Sequence, residues 1–284
     1  MMKAFCPGHI SCFFSPVVTD DVMTTGSLGA GIRLNTGVTV TAEERCDKKI
    51  MIIMDGSPCK AEITENVVKI ISPDTGFDII IENDLPLSQG MGMSAAGAVA
   101  TGLCMTSFTE ADEYEVYKAA HIAEVMNKGG LGDVAGIIGG STPIRLKAGI
   151  PPYGRVIDPS LNIKFTVAVV GPRIVTKNIL SDRNIMKRVS SAGEFCLNEY
   201  MNSQTEKMLY SLSSLFSERI TLETKEIKNA LNLLRKDHDA SMCMLGNSIF
   251  TNANEKETRN ILGDDVKIFS CSPSSDGPRI IRKA

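Results

Sequence analysis

Tryptophan is absent, and only three histidines, His9, His121 and His238, occur in the 284 residues. The first absence excludes sugar or base stacking on indole. The second leaves little material for a histidine-built metal site. The eight cysteines are scattered and none belongs to a CxxC pair, so neither a zinc knuckle nor a redox dithiol is expected. They read as small buried hydrophobes. No apolar run approaches the roughly 18 residues that cross a bilayer. Pro7, Gly8 and His9 interrupt the apolar N-terminal stretch before any small-residue cleavage site, so no secretory signal is expected and the chain reads as cytoplasmic. Positive charge is not in excess either. Thirty Lys plus Arg stand against 33 Asp plus Glu, which argues against a nucleic-acid or anionic-membrane partner. Internal repeats and low-complexity segments are missing as well.

What is present is a grouped pattern of strands and helices. β-branched runs at Val38–Thr41, Lys49–Met54, Ala61–Thr64, Val67–Ile71 and Phe77–Ile81 predict strands, separated by turn residues such as Asp55-Gly56 and Ser72-Pro73-Asp74. An alanine-rich helix is expected from about Ser94, and a second from about Glu110 to Lys128 with Thr109 as N-cap. Prolines and glycines between Lys147 and Pro159 mark a boundary, giving an expected division into residues 1–158 and 159–284. Beyond it the pattern predicts a strand at Ile163–Val170 and two helices. Their core faces are Met208, Leu212, Leu215 and Ile227, Leu231, Leu234. A closing hairpin is expected from Val266–Cys271 and Arg279–Arg282. Grouping rather than strict alternation predicts an α+β chain of two sub-domains.

The sharpest local signal is Pro86-Leu87-Ser88-Gln89-Gly90-Met91-Gly92-Met93-Ser94-Ala95-Ala96. Two close glycines allow a tight turn with consecutive exposed N–H groups, and a serine opens a helix of small residues. A helix N-terminus carries partial positive charge and unpaired donors, so this segment suits phosphate. It is not a P-loop, because no lysine follows the glycines. Gly90, Gly92 and Ala95 match a dinucleotide fingerprint, but Pro86 and its neighbours separate them from the preceding strand. Spacing alone leaves two alternatives, a phosphate cradle and a loop that only turns the chain.

The Pro-x-x-x-Gly-x-Gly-x-Ser-Ala-Ala pattern resembles the second motif of the GHMP small-molecule kinases. Pro7-Gly8-His9 is similar to that family's N-terminal motif, and Gly132-Asp133 followed by Gly139-Gly140 resembles the stretch that supplies its catalytic aspartate. Ser241 to Ser248 stands where the family's third motif is expected, with one glycine, Gly246, where relatives have several. Together with Gly26-Ser27-Leu28-Gly29-Ala30-Gly31 and Pro151-Pro152-Tyr153-Gly154, these segments resemble the archaeal pantoate-kinase branch. The resemblance implies a ribosomal-protein-like α+β domain followed by a ferredoxin-like one. It also implies ATP and magnesium as cofactors, and transfer of phosphate to a hydroxyl of pantoate, giving 4-phosphopantoate on the route to coenzyme A. Kinases of homoserine, mevalonate or shikimate, and a nucleotide-binding module without chemistry, are the alternatives. A homodimer is the expected assembly.

On this reading the ATP-binding residues are Pro86, Ser88, Gly90, Met91, Gly92, Met93, Ser94 and Ala95. The resemblance makes Asp133 the general base, whose bland alternative is an N-cap for the helix that follows. It makes Glu124 the magnesium carboxylate, paired with Ser94; the alternative is a solvated helix glutamate. His121 shares a helical face with Tyr117 and Glu124 and reads as a packed or hydrogen-bonded histidine. A bidentate cation suits pantoate's carboxylate, so Arg145 is the expected grip, with His9 as second substrate candidate and Arg33, Lys147 and Arg155 in reserve.

Overall fold

Two long antiparallel strands, β1 (Met2–Val17) and β2 (Gly26–Arg45), form the spine of the first sheet in the computed structural model, which describes residues 1–173 and 183–281. Their inner faces carry Ala4, Cys6, Ile10, Ile32, Leu34, Val38 and Val40, all fully buried. Register shifts between Pro7 and His9 and between Ser11 and Phe13 bend β1 twice. Such bulges re-aim side chains, and here they lie beside the site described below. The sheet is completed by β3 (Ile50–Met54), β4 (Ser57–Pro58), β5 (Gly76–Asn83), β6 (Ile144–Lys147), β7 (Arg155–Ile157) and β12 (Arg279–Ile280). The order is β12-β1-β2-β5-β3-β4, with β6 on β2 and β7 on β6. Among the described residues only the β3–β5 pair of this sheet is parallel.

Helix α2 (Met93–Met105) lies on this sheet and is covered in turn by α1 (Glu62–Ile71) and α3 (Glu113–Met126). A helix enclosed on all sides needs small residues to let its neighbours approach, and its alanines and glycines supply them. Gly102, for instance, lies where a Cβ would stand 2.7 Å from Val116. Short helix α4 (Asp133–Ile138) follows α3.

The second sheet has the order β11-β8-β10-β9, built from β8 (Phe165–Val169), β9 (Ala240–Met242), β10 (Ser248–Thr251) and β11 (Lys267–Cys271). All its pairs are antiparallel, and helices α5 (Arg183–Asn202), α6 (Glu206–Ile220), α7 (Lys225–Leu234) and α8 (Glu255–Leu262) connect its strands. That is a ferredoxin-like arrangement with added helices, so the chain is α+β. Ile227, Leu231 and Leu234 are buried as expected, while α6 buries Leu209 and Phe216 more deeply than Met208 and Leu215. The chain also recrosses the expected 158/159 division, since β12 pairs with β1 and α5 packs on β1.

Several local expectations are corrected. Ala61–Thr64 and Val67–Ile71 are not strands but one helix, α1. Val67 and Val68 fall on its buried face, with Ile63 and Ile71 partly buried beside them. Local β-branching misled, and the helical period with Glu62 and Glu65 in the first turn prevailed. Asp112, not Thr109, caps α3, in a reciprocal capping box with Glu115. The closing hairpin does not form, because β11 pairs with β8 and β12 with β1; Arg282 lies outside the described residues.

Asp158 latches the end of β7 to the segment entering β6. Burial favours its neutral form, but hydrogen bonds from the Thr142, Ser141 and Ser160 amides and the Thr142 hydroxyl outweigh that and hold its pKa at about 2. Its contribution is present above the ordinary carboxylate range and is lost as pH falls toward 2. Asp158→Ala is expected to cost about 2 kcal/mol of stability at neutral pH, read by urea unfolding. A loss below a few tenths would mean that the latch is idle.

Candidate active site

The loop between β5 and α2 is shaped by three left-handed residues, Ser88, Gly90 and Gly92 (φ 59°, 77° and 64°). Gly92 is the N-cap of α2, and the first intrahelical bond runs from Ala96 N to its carbonyl, leaving earlier amides free of helical partners. The loop is bolted on two sides. Gly8 in the β1 bulge lets Met91 approach, and His9 N donates to Met91 O at 3.0 Å. On the other side Gln89 carries three bonds. Its Nε2 donates to Gly171 O, its Oε1 accepts from Asn247 N and its carbonyl accepts from the Ser248 hydroxyl. Gly246, the glycine of the third segment, lies where a Cβ would overlap Gln89 backbone.

A cavity of about 620 Å³ opens over this loop. Of the expected nucleotide residues, Ser88, Gly90, Met91, Gly92, Met93 and Ser94 line it. Pro86 and Ala95 do not: Ala95 is buried in the core, and Pro86 stands at the start of the loop. Its lining includes an apolar set, Met54, Ile63, Ile81 and Leu87, and a second set, Glu124, Gly129 to Asp133, Ser11 and Ser27.

Glu124 is not a solvated helix residue. It is buried, accepts from Ser94 Oγ at 2.7 Å and from Gly130 N at 2.7 Å, and its pKa is pushed up to about 7. Burial is the chief cause; the Asp133 charge adds to it, and the hydrogen bonds from Ser94 and Gly130 oppose it. Asp133 does not cap α4, whose N-cap is Gly132 without a side-chain bond. Instead its Oδ1 meets His9 Nδ1 at 2.9 Å, and its side chain remains 24% exposed to the cavity.

His9 and Arg145 stand one layer beneath the cavity wall, both fully buried, and neither lines it. As direct substrate ligands they are therefore displaced from the expected position, because the β1 bulge and β6 turn them under Asp133. Arg145 donates to His9 Nε2 at 3.3 Å and to Ser11 Oγ at 3.2 Å, while its buried Nε has no partner among the described residues. That Nε lies 2.9 Å from where a Gly132 Cβ would stand, beside Ser27. Arg33 is spent on the carbonyls of Ile137, Ser274 and Ser275, and Lys147 is exposed. His121 Nε2 donates to Val22 O at 2.9 Å.

Sequence reasoning missed Lys60 and Arg173, the two cations among the described cavity-lining residues, as well as Gln89 as a structural bolt. Arg173 follows Gly171 and Pro172, whose carbonyls are held by Gln89 and Asn247. No motif marks either cation. Among the described residues no cluster of three His, Cys, Asp or Glu side chains could hold a metal by itself, and no helix is long and apolar enough to cross a membrane.

The family model described as GHMP kinases N terminal domain matches residues 61–141. A pantoate kinase of Thermococcus kodakarensis is 33% identical over 270 residues, covering 90% of this chain and 89% of the relative. One of Methanospirillum hungatei is 32% identical over 291 residues, with 99% and 96% covered. A solved phosphotransferase related to the CoA biosynthesis pathway superposes with a TM-score of 0.89 at 28% identity, covering 99% and 98% of the two chains. The mevalonate kinase of Methanococcus jannaschii shares the fold, with a TM-score of 0.67 at 18% identity over 96% and 98%. With whole-length relatives above 30% identity, this ATP-dependent kinase belongs to the GHMP kinase family.

Proposed function

We propose that the protein transfers the γ-phosphoryl group of ATP to a hydroxyl of pantoate, giving 4-phosphopantoate. The observation that carries the chemistry is the pairing of a glycine loop at a helix N-terminus with a partly exposed acid, Asp133, in one cavity. The whole-length relatives named pantoate kinase carry the substrate.

The cavity volume falls within the range of small-molecule sites, about 300–1,000 Å³. In this reading the apolar set of Met54, Ile63, Ile81 and Leu87 takes the base, with Lys60 also lining the cavity. The Gly90–Ser94 amides take the phosphates. The donor set fits magnesium only in part: Ser94 Oγ and Glu124 offer hard oxygens, and the remaining positions fall to phosphate and water. Magnesium, when bound there, supplies neutralisation of phosphate charge. Ser94 and Glu124 would hold it. Arg173, which also lines the cavity, adds a second positive charge.

Pantoate then lies over Ser11, Ser27, Gly132 and Asp133. Arg145 serves its carboxylate from beneath this floor, through the charge of a buried guanidinium whose Nε is unpartnered among the described residues. Asp133 accepts the hydroxyl proton as the new bond forms.

A substrate panel tests the assignment. With ATP and magnesium, pantoate is expected to stimulate ADP formation at least about ten-fold above homoserine, mevalonate and shikimate. A preference for another alcohol would replace the substrate. Nucleotide binding without stimulation by any of them would replace the chemistry.

A further inference from the structure

We infer that His9 is the positioning residue of Asp133, held as the Nδ1–H tautomer by Arg145 so that Oδ2 alone is left to take the substrate proton. This rests on the assignment of Asp133 as base in the proposed function.

A guanidinium only donates, so the nitrogen it contacts must be a bare acceptor. Arg145 contacts Nε2 of His9 at 3.3 Å. With Nε2 accepting from a guanidinium the ring holds one proton and is neutral, and burial, the chief influence, likewise pushes its pKa below the ordinary histidine value despite the hydrogen bond to Asp133. A neutral imidazole bare at Nε2 carries its hydrogen on Nδ1. Nδ1–H therefore donates to Asp133 Oδ1 at 2.9 Å, and the contact is a hydrogen bond rather than an ion pair.

The ring also has nowhere else to go. A Cβ on Gly31 would stand 2.3 Å from Nε2, and one on Gly136 would stand 2.4 Å from it. The imidazole is clamped between two glycines, one from β2 and one from α4. Its backbone is tied too. His9 N donates to Met91 O, and Gly92 lies where a Cβ would approach His9 O to 2.9 Å. One residue thus joins the phosphate loop to the acid, fixing the distance between phosphate donor and proton acceptor.

Asp133 Oδ2 lies on the other side, toward Gly130, where a Cβ would meet it at 2.0 Å. In the reaction the substrate hydroxyl oxygen bonds to the γ-phosphorus. The bond from that phosphorus to the β–γ bridging oxygen breaks, and its electron pair leaves with ADP. The hydroxyl proton goes to Oδ2. His9 neither gains nor loses a proton, since Nε2 is occupied by Arg145. This distinguishes the arrangement from a proton relay.

Loss of orientation by about 1 Å costs roughly a hundred-fold in rate. His9→Leu is therefore expected to lower kcat about a hundred-fold, with KM for ATP and pantoate changed less than about three-fold. His9→Asn places an amide donor near the Nδ1 position and is expected to recover kcat to within about ten-fold of the parent. In the unmodified protein, 15N spectra of labelled histidine should contain one ring protonated at Nδ1 and bare at Nε2 from pH 7 to 8, absent from His9→Asn. A His9 signal that titrates in that range, or is protonated at Nε2, overturns the inference even if His9→Leu fails to fold. So does full kcat in His9→Leu. Failure of the parent protein to phosphorylate pantoate would instead overturn the proposed substrate, leaving the spectroscopic result to judge His9.

Discussion

Asp133→Asn is expected to lower kcat by about a thousand-fold or more while ATP affinity stays within a few-fold. General base catalysis contributes about 10²–10⁴ in rate, and the amide keeps the shape of the carboxylate without its basicity. Geometry predicts a further loss. His9 donates from Nδ1, so the carbonyl oxygen of asparagine must turn to His9, leaving the NH₂ group to face the cavity at the Oδ2 position. A donor would then stand where an acceptor is needed, opposing the substrate hydroxyl. Nucleotide binding should survive because the loop amides from Gly90 to Ser94 contact neither Asp133 oxygen. Single-turnover rates and nucleotide titration separate the two effects. A variant that retains more than about a tenth of kcat would show that positioning and charge carry the transfer and that Asp133 is no base.

The α+β class was legible from the grouping of elements, whereas several of the pairings within it were not. The segment from Pro86 to Ala96 was legible because a glycine turn at a helix N-terminus is local. Two glycines and a serine suffice, and the structure gives Gly90 and Gly92 left-handed conformations. Asp133 was legible as an acid next to glycines and Glu124 only through the family resemblance, and tertiary packing alone makes Glu124 a buried group. The support beneath Asp133 was not legible. His9 and Asp133 are 124 residues apart, and His9 and Arg145 are 136 apart; a bulge in β1, a six-residue helix and β6 must meet before either contact exists. His9 therefore read as a candidate substrate ligand, whereas it lies buried within strand β1. Helix α1 was misread for a different reason. Its Ile and Val residues favour strands locally, and their helical spacing matters only once α2 and α3 offer a surface to bury them. The last strand pairs with the first, which no hairpin rule anticipates.

Glu124 is expected to be a group that function requires and stability does not. Its pKa rises from 4.5 to about 7 in the fold, chiefly through burial. Between those values the folded protein holds a proton that the unfolded chain has released, so stability falls as pH climbs through that window. Glutamine removes the titration while keeping the contacts: its amide oxygen can accept from Gly130 N, and its NH₂ can donate to Ser94 Oγ. In metal-free protein, Glu124→Gln should therefore match the parent near pH 5 and exceed it at pH 8 by on the order of 2 kcal/mol. At this chain length that corresponds to several degrees in Tm. Activity should move the other way, falling at least about a hundred-fold at saturating magnesium as a charged metal ligand becomes neutral. Thermal melts with chelator at the two pH values, beside kcat, read both signs at once. Equal destabilisation at pH 5 and pH 8 would mean that Glu124 is a structural carboxylate, and unchanged activity would take it out of the site.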